Sequence, residues 1–339
     1  MCKQKMMVVA LLLVVFLIVP GVAVADDGAT DSPSDDDRRS WTVAVIADLN
    51  GSYGSTQYNE HVKAAVKWLR EDLKPDLVVV AGDMVAGQQE GLDYPAMWDA
   101  FHRVVTDELA EAGIPMAVTP GNHDASEQPA FWEERIEFAA QWEGRQPRLQ
   151  FVDDSFYPFY YAFELGPALF ISLDGTGVGD LDEGQRAWVE KTLRENSHLE
   201  LSFVTSHVPQ YAVAEGRQHE VFADEELAEI FSKYGVDMMI SGHHHAYYPA
   251  KRDETVFLHA SALGSGVRQL LGERERRPRN VAVVRFDEKG IDKVEAFESP
   301  DFVDIVDDES LPESLGDGDL QIWRHDLDEP PQKPDEPES

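Results

Sequence analysis

Short apolar runs separated by longer amphipathic stretches set the plan of the chain. Residues 42–47, 77–81, 114–118, 201–205 and 236–240 are short and almost uniformly apolar, and they read as buried strands. Between them, residues 58–73 place Val62, Ala65, Val66 and Leu69 on one helical face, and residues 95–112 do the same with Trp98, Phe101, Val104, Val105 and Leu109. Pro75 and Asp76 stop the first of these helices, and Gly113 closes the second as a C-cap would. Further helices are expected over 131–142, over 182–196 with Trp188, Val189 and Leu193 inward, and over 224–234. The pattern changes in the stretches 157–163 and 168–173, which flank the turn Glu164-Leu165-Gly166-Pro167 as a hairpin. Residues 256–260, 281–286 and 293–297 are strands again, the last two joined through Asp287 and Gly290. Alternating strand–helix units followed by hairpins predict an α/β chain in which two sheets pack face to face with helices outside.

Both ends differ from this middle. Lys3 and Lys5, the apolar run 6–19, the Pro20-Gly21 break and the small residues Ala23-Val24-Ala25 compose a signal peptide at 1–25, so the protein is expected to be exported and secreted, to the periplasm or outside the cell. The alternative is an uncleaved N-terminal membrane anchor facing outward, since residues 6–25 have the length of a spanning helix. Residues 26–40, with Asp35-Asp36-Asp37, form an acidic leader, and residues 301–339 form an acidic tail rich in proline at its end. Their composition predicts disorder, which leaves one folded domain at 41–300. Cys2, the only cysteine, falls in the signal, so no disulfide is expected in the mature chain.

The chain carries 64 acidic and 29 basic residues, for a net charge of −35. The excess persists in the expected domain, where 44 acidic residues face 23 basic ones between Trp41 and Pro300. Nucleic acid is therefore not an expected partner. A surface this acidic also predicts a fold that gains from salt, which screens its self-repulsion. No feature fixes an oligomeric state.

The apolar runs share a property that burial alone does not explain. Residues 42–47 stop at Asp48, 77–81 at Gly82-Asp83, 114–118 just before Gly121-Asn122-His123-Asp124, 201–205 at Ser206-His207, and 236–240 at Ser241-Gly242-His243-His244-His245. Open α/β sheets present reactive groups at such strand ends, so carboxylate, amide and imidazole groups converge on one rim. Taken alone, Gly-Asn-His-Asp also makes a tight turn with an N-cap. In this company, Asn122 can offer an oxygen to a metal and His123 an imidazole to a substrate.

The ordered set Asp48, Asp83, Asn122-His123-Asp124, His207 and His243-x-His245, with its Gly-Asp, Gly-Asn-His-Asp and Gly-His-x-His signatures, resembles the calcineurin-like metallophosphoesterases over residues 41–297. The resemblance implies a four-layer αββα architecture, a β-sandwich flanked by helices, with two divalent metal ions at the sheet edge. It implies a hydrolase acting on a small phosphate ester, as a phosphatase on monoesters or a phosphodiesterase, through a hydroxide bridging the metals. By the same resemblance Asp83 bridges the ions, Asp48 and His245 hold the first, and Asn122, His207 and His243 hold the second; Mn, Fe, Zn and Mg all remain open. His123 stays off the metal and, oriented by Asp124, is placed to protonate the leaving oxygen. One position departs from the signature: Asp48-Leu49-Asn50 stands where the family usually has Asp-x-His. Asn50 then acts as a harder, weaker ligand that leans the first site toward Mn or Mg, or it sits behind the ligands with water in its place. The alternative function that follows is a catalytically weak or inactive protein that binds a phosphate ligand through its metals.

Around this set, Tyr53 and Arg268 are the candidate substrate contacts, against a packing role for the first and a surface salt bridge for the second. His219 and His259 lie in segments able to approach the site. His244 is expected to point away, His61 and His102 to be structural, and Asp174 to have no metal role. Arg274, Arg276, Arg277 and Arg279 read as a solvated basic loop.

Overall fold

The structure is a computed structural model that describes residues 39–331. The signal or anchor, nearly all of the acidic leader and the last residues of the tail lie outside the described residues. The first half of the chain runs β1 (Trp41–Ile46), α1 (Glu60–Trp68), β2 (Leu77–Val80), α2 (Tyr94–Phe101), α3 (Asp107–Glu111), β3 (Met116–Val118), α4 (Trp132–Glu143), β4 (Gln150–Phe156), β5 (Tyr160–Leu165) and β6 (Ala168–Ser172). The second half runs α5 (Glu183–Glu195), β7 (Leu201–Ser206), α6 (Glu225–Tyr234), β8 (Met238–Ser241), β9 (Tyr248–Arg252), β10 (Thr255–His259), β11 (Asn280–Asp287), β12 (Gly290–Glu298), β13 (Ser314–Leu315) and β14 (Ile322–Arg324). Acidic and amide side chains start the helices: Asn59, Asp93, Asp182 and Asp224 each accept a backbone N–H of the first turn. No helix among the described residues is long and apolar enough to cross a membrane.

The strands form a five-stranded sheet, ordered β12-β11-β1-β2-β3, and a nine-stranded sheet, ordered β13-β14-β9-β10-β8-β7-β6-β5-β4. Strand alternation divides the first sheet between two cores. Val43, Val45, Leu77 and Val79 pack toward the second sheet, while Ala44, Ile46, Val78 and Val80 pack with the apolar faces of α1, α2 and α4. Between the sheets, the Phe170 and Phe203 rings stack 4.7 Å apart and Phe286 lies 5.2 Å from Phe203. Helices α5 and α6 add Trp188, Val189, Leu193, Leu227 and Phe231 to the second sheet's core. The expected two-sheet sandwich flanked by helices is the architecture adopted. Strands β1, β2 and β3 run parallel, as do β6, β7, β8 and β10, so each sheet carries its chemically marked ends on one edge.

The fold reaches further than the hydrophobic pattern predicts. The composition of 301–339 suggests disorder, yet Phe302 stacks on Trp68 at 4.9 Å, Leu311 and Leu315 are buried, and β14 pairs with β9. Apolar residues there are too widely spaced to show a period. Long-range polar contacts set the path instead: Tyr248 donates to the Pro312 carbonyl at 2.9 Å and Arg324 to that of Leu311 at 3.0 Å. Strand β9 also escapes the pattern because Pro249 argues against a strand. It is tolerated because β14 pairs with β9 at Ala250 and Lys251, past the proline. Strand β4 is a mostly exposed edge interrupted by bulges, with no alternation to reveal it.

Candidate metal centre

Strand ends deliver the side chains. Asp48 follows β1, Asp83 follows β2, Asn122 and His123 follow β3, His207 follows β7, and His243 and His245 follow β8. Asp48 (φ 52°), Asp83 (φ 56°), His243 (φ 64°) and His245 (φ 55°) all hold left-handed backbone that non-glycine residues rarely adopt. Such conformations cost about 1–3 kcal/mol each and persist only where the surroundings enforce them. Here Leu49 N donates to the Asp83 carbonyl at 2.8 Å, Gly264 N to the Asp48 carbonyl at 2.9 Å, and His243 N to the Asp48 carboxylate at 3.1 Å. Close approach also needs glycine: a Cβ on Gly82 would lie 2.4 Å from the His207 ring, and one on Gly121 would lie 2.1 Å from the Asp83 nitrogen.

Two groupings share the buried Asp83. In one, ligand atoms of Asp48, Asp83 and His245 lie within 4.8 Å of one another. In the other, His207 Nε2 is 3.3 Å from Asp83 Oδ1, 2.9 Å from Asn122 Oδ1 and 3.3 Å from His243 Nδ1. The outer nitrogens all meet oxygen. His207 Nδ1 lies 2.8 Å from the Ala81 carbonyl, His245 Nδ1 lies 2.9 Å from that of Gly266, and His243 Nε2 lies 2.9 Å from the Glu220 carboxylate. An imidazole that donates outward presents its other nitrogen inward, which is how metal-binding histidines are braced. Inward-facing imidazole, carboxylate and amide donors in this number fit divalent cations. The electrostatics agree: burial by itself would lower the His207 pKa, but the Asp83 carboxylate overrides it and pushes the pKa up to about 9. Burial likewise opposes the Asp83 charge, yet His207 and His123 hold that carboxyl well below its ordinary range. The site draws positive charge to its middle.

His123 N donates to Asp83 Oδ1 at 2.9 Å, and its Nδ1 lies 3.1 Å from the Gly87 carbonyl. Gly87 therefore orients the ring, and the Asp124 expected in that role does something else. Asp124 is buried and accepts from Val85 N and Gly121 N, both at 2.9 Å, which ties the turn after β3 to the loop after β2. Its carboxylate is spent on those backbone donors, and burial together with the Asp83 charge pushes its pKa up to about 8. Asn50 also departs from the ligand role. Its Oδ1 accepts from the Ser265 hydroxyl, and its Nδ2 faces Asp83 Oδ2 at 3.4 Å, so its oxygen points away from the ligand set.

Tyr53 stands 57% exposed on the rim, its ring 5.5 Å from that of His123. Arg268 lines a cavity beside His245 and makes no salt bridge among the described residues. His219 lines a different cavity, and His259 is buried against the carbonyls of Tyr248 and Tyr211, so neither reaches the centre. His244 points away as expected, into the Val213 amide and the Glu220 carbonyl. His61 meets Ser299, His102 meets Thr106 and Gln141, and Asp174 pairs with Arg135. Glu220, Ser265 and Gln88, whose Oε1 accepts from Asn122 at 3.2 Å, are supports that the sequence did not single out. Glu220 acts on a histidine 23 positions away, and no local pattern marks it.

Residues 42–247 match the calcineurin-like phosphoesterases. The chain belongs to that family. It is 31% identical to purple acid phosphatase 18 of Arabidopsis thaliana over 217 residues, covering 62% of this chain and 45% of that protein. It is 25% identical to serine/threonine-protein phosphatase CPPED1 of Rattus norvegicus over 185 residues, covering 51% of this chain and 54% of the relative. The chain spans less than half the length of the purple acid phosphatases it matches first. Its fold is similar to that of purple acid phosphatase PPD1 from yellow lupin (Lupinus luteus) seeds, with a TM-score of 0.59 at 17% identity over 79% of this chain and 53% of that one. A dimetal phosphatase from Danio rerio aligns with a TM-score of 0.52 at 16% identity over 78% of this chain and 98% of that one. The family match takes in every strand-end residue of the centre and stops short of Ser265 and Arg268.

Proposed function

We propose that this chain hydrolyses phosphate esters with two divalent ions, one held by Asp48, Asp83 and His245 and the other by Asp83, Asn122, His207 and His243. The observation that carries the reading is the bracing of His207, His243 and His245, whose outer nitrogens meet oxygen while the inner nitrogens of His207 and His245 meet Asp83 and Asp48 and that of His243 meets His207. When bound, such ions supply positive charge to the phosphoryl oxygens and activate water at neutral pH. The chain's own groups do the rest. His123, with Nδ1 on the Gly87 carbonyl, keeps Nε2 free to protonate the leaving oxygen. Asp83 accepts the His123 backbone N–H, Asp124 holds the turn at Gly121, Tyr53 borders the ring, and Arg268 faces the neighbouring cavity. The N-terminal sequence puts this activity outside the cytoplasm, and a secreted or periplasmic form whose first residue is Asp26 would support that placement.

One observation favours a second reading. With the Asn50 oxygen tied to Ser265, the first ion has fewer protein ligands, and a metal-dependent phosphate-binding protein without turnover becomes the alternative. The deciding experiment is hydrolysis of p-nitrophenyl phosphate and bis-p-nitrophenyl phosphate by protein loaded in turn with Mn, Zn, Mg and Fe. Turnover is expected to require metal and to fall by about 10²–10⁴-fold in H123A with metal content unchanged. The ratio between the two esters chooses monoesterase or diesterase. Two bound ions without turnover would leave the binding protein.

A further inference from the structure

Beside the centre lies a cavity of about 530 Å³ lined by His245, Ser52, Ser265, Arg268 and Arg276. That volume falls in the range of roughly 300–1,000 Å³ typical of small-molecule pockets. Because His245 belongs to both the cavity and the carboxylate–imidazole centre, a ligand seated in the cavity abuts the centre. Arg268, half-buried in its wall, is anomalous for this chain. Acidic residues outnumber basic ones by 64 to 29, and half-buried arginines elsewhere engage a carboxylate, as Arg135 does Asp174, Arg186 Asp224 and Arg285 Glu295, or backbone carbonyls, as Arg252 and Arg279 do. Neither Arg268 nor Arg276 has a hydrogen bond or ion pair from its guanidinium among the described residues, and the buried Arg268 Nε has no partner. Besides Arg276, Arg217 is close enough to repel Arg268, with Glu220 and Asp48 as the opposing charges. The third cation, Arg217, is already taken by Glu220.

We propose that this cavity is a subsite for a second phosphate, so that the substrates of the chain are phosphate esters carrying another phosphate close to the one at the centre. The proposal rests on the phosphoesterase reading for the first phosphate only. Guanidinium groups bind phosphate through paired N–H donors, and two of them facing one cavity match a dianion better than a neutral alcohol or sugar. The Ser52 and Ser265 hydroxyls and the exposed Gly266 complete a polar lining with room for it.

The test uses matched ligands, glycerol 1-phosphate and glycerol 1,3-bisphosphate, titrated calorimetrically at one ionic strength into the full Mn-loaded chain carrying H123A to suppress turnover. The bisphosphate is expected to bind at least about tenfold more tightly, and this ratio is expected to fall to about one when R268A/R276A is added. Neither side chain has a partner to lose, so the fold should tolerate the pair. R276A alone, at an exposed position, is expected to lower the ratio by about threefold or more and carries the test if the pair does not fold. A ratio near one in the parent, or one that survives loss of the arginines, overturns the subsite. Absence of turnover by the wild-type chain, with the ratio behaving as expected, would instead overturn the hydrolase reading and leave the subsite standing.

Discussion

The two halves of the centre are built from the same kind of strand end and braced unequally. On the side of His207, every donor has a fixed partner behind it: Ala81 for His207, Glu220 for His243 and Gln88 for Asn122. On the side of Asp48, His245 is held by Gly266, but the third position, Asn50, turns its oxygen to Ser265. The well-braced half lies within the segment that matches the family, whereas the partners of the other half, Ser265 and Gly266, come from a loop beyond it. One half is therefore braced from within the matched segment, and the other leans on a loop outside it.

The comparison breaks most easily at His207, where Asp83, Asn122 and His243 meet. In H207A the His207 half is expected to lose its ion while the Asp48 half keeps its own. Hydrolysis of p-nitrophenyl phosphate is expected to fall by about 10³-fold or more, since the lost charge stabilisation amounts to several kcal/mol. Metal analysis showing two ions per chain in this variant would end the division into halves.

A buried histidine away from the centre provides a contrast of the next size. His102 sits in an aromatic cage, 5.3 Å from the Trp142 ring and 5.8 Å from that of Trp98, with its nitrogens on Thr106 and Gln141. Where His207 is drawn toward the charged form by a carboxylate, burial and the nearby Arg145 lower the His102 pKa to about 4. The unfolded chain takes up this proton near pH 6.5, whereas the folded one refuses it until about pH 4. The contribution is full above pH 6.5 and drains as pH falls through that window, by about 2–3 kcal/mol. Denaturant unfolding followed from pH 7 to pH 4 should show a shallower loss in H102Q; an unchanged slope would remove His102 from the acid response.

What the sequence reveals follows the same line between regular and irregular chain. Asp48, Asp83, Asn122, His207, His243 and His245 were legible because each ends an apolar run, where period and chemistry point to one place. Glu220, Ser265 and Gly266 were not, because they act from loops and their proximity depends on how both sheets close. Asp124 shows the limit within a motif: the four-residue turn is visible, but its use of Val85 and Gly121 as partners is a tertiary fact. Phe302, Leu311 and Ile322 show it for the fold, since isolated apolar residues in an acidic stretch dock without announcing a strand.

Asn50 offers the finest adjustment of the comparison. As placed, its amide nitrogen faces Asp83 and its oxygen is engaged by a hydroxyl, so it braces the shared carboxylate without completing the ligand set. An imidazole in its place would present a nitrogen toward Asp48 and Asp83 and lose the Ser265 bond, which is a modest exchange because one neutral donor replaces another. N50H is therefore expected to tighten the weaker of the two ions by about tenfold, or 1.4 kcal/mol, and to leave the tighter one unmoved. Competitive titration against a metal indicator resolves the two steps. If N50H shifts both steps equally, the halves are coupled through Asp83 and do not act as separate sites; if it shifts neither, Ser265 rather than Asn50 governs the Asp48 side.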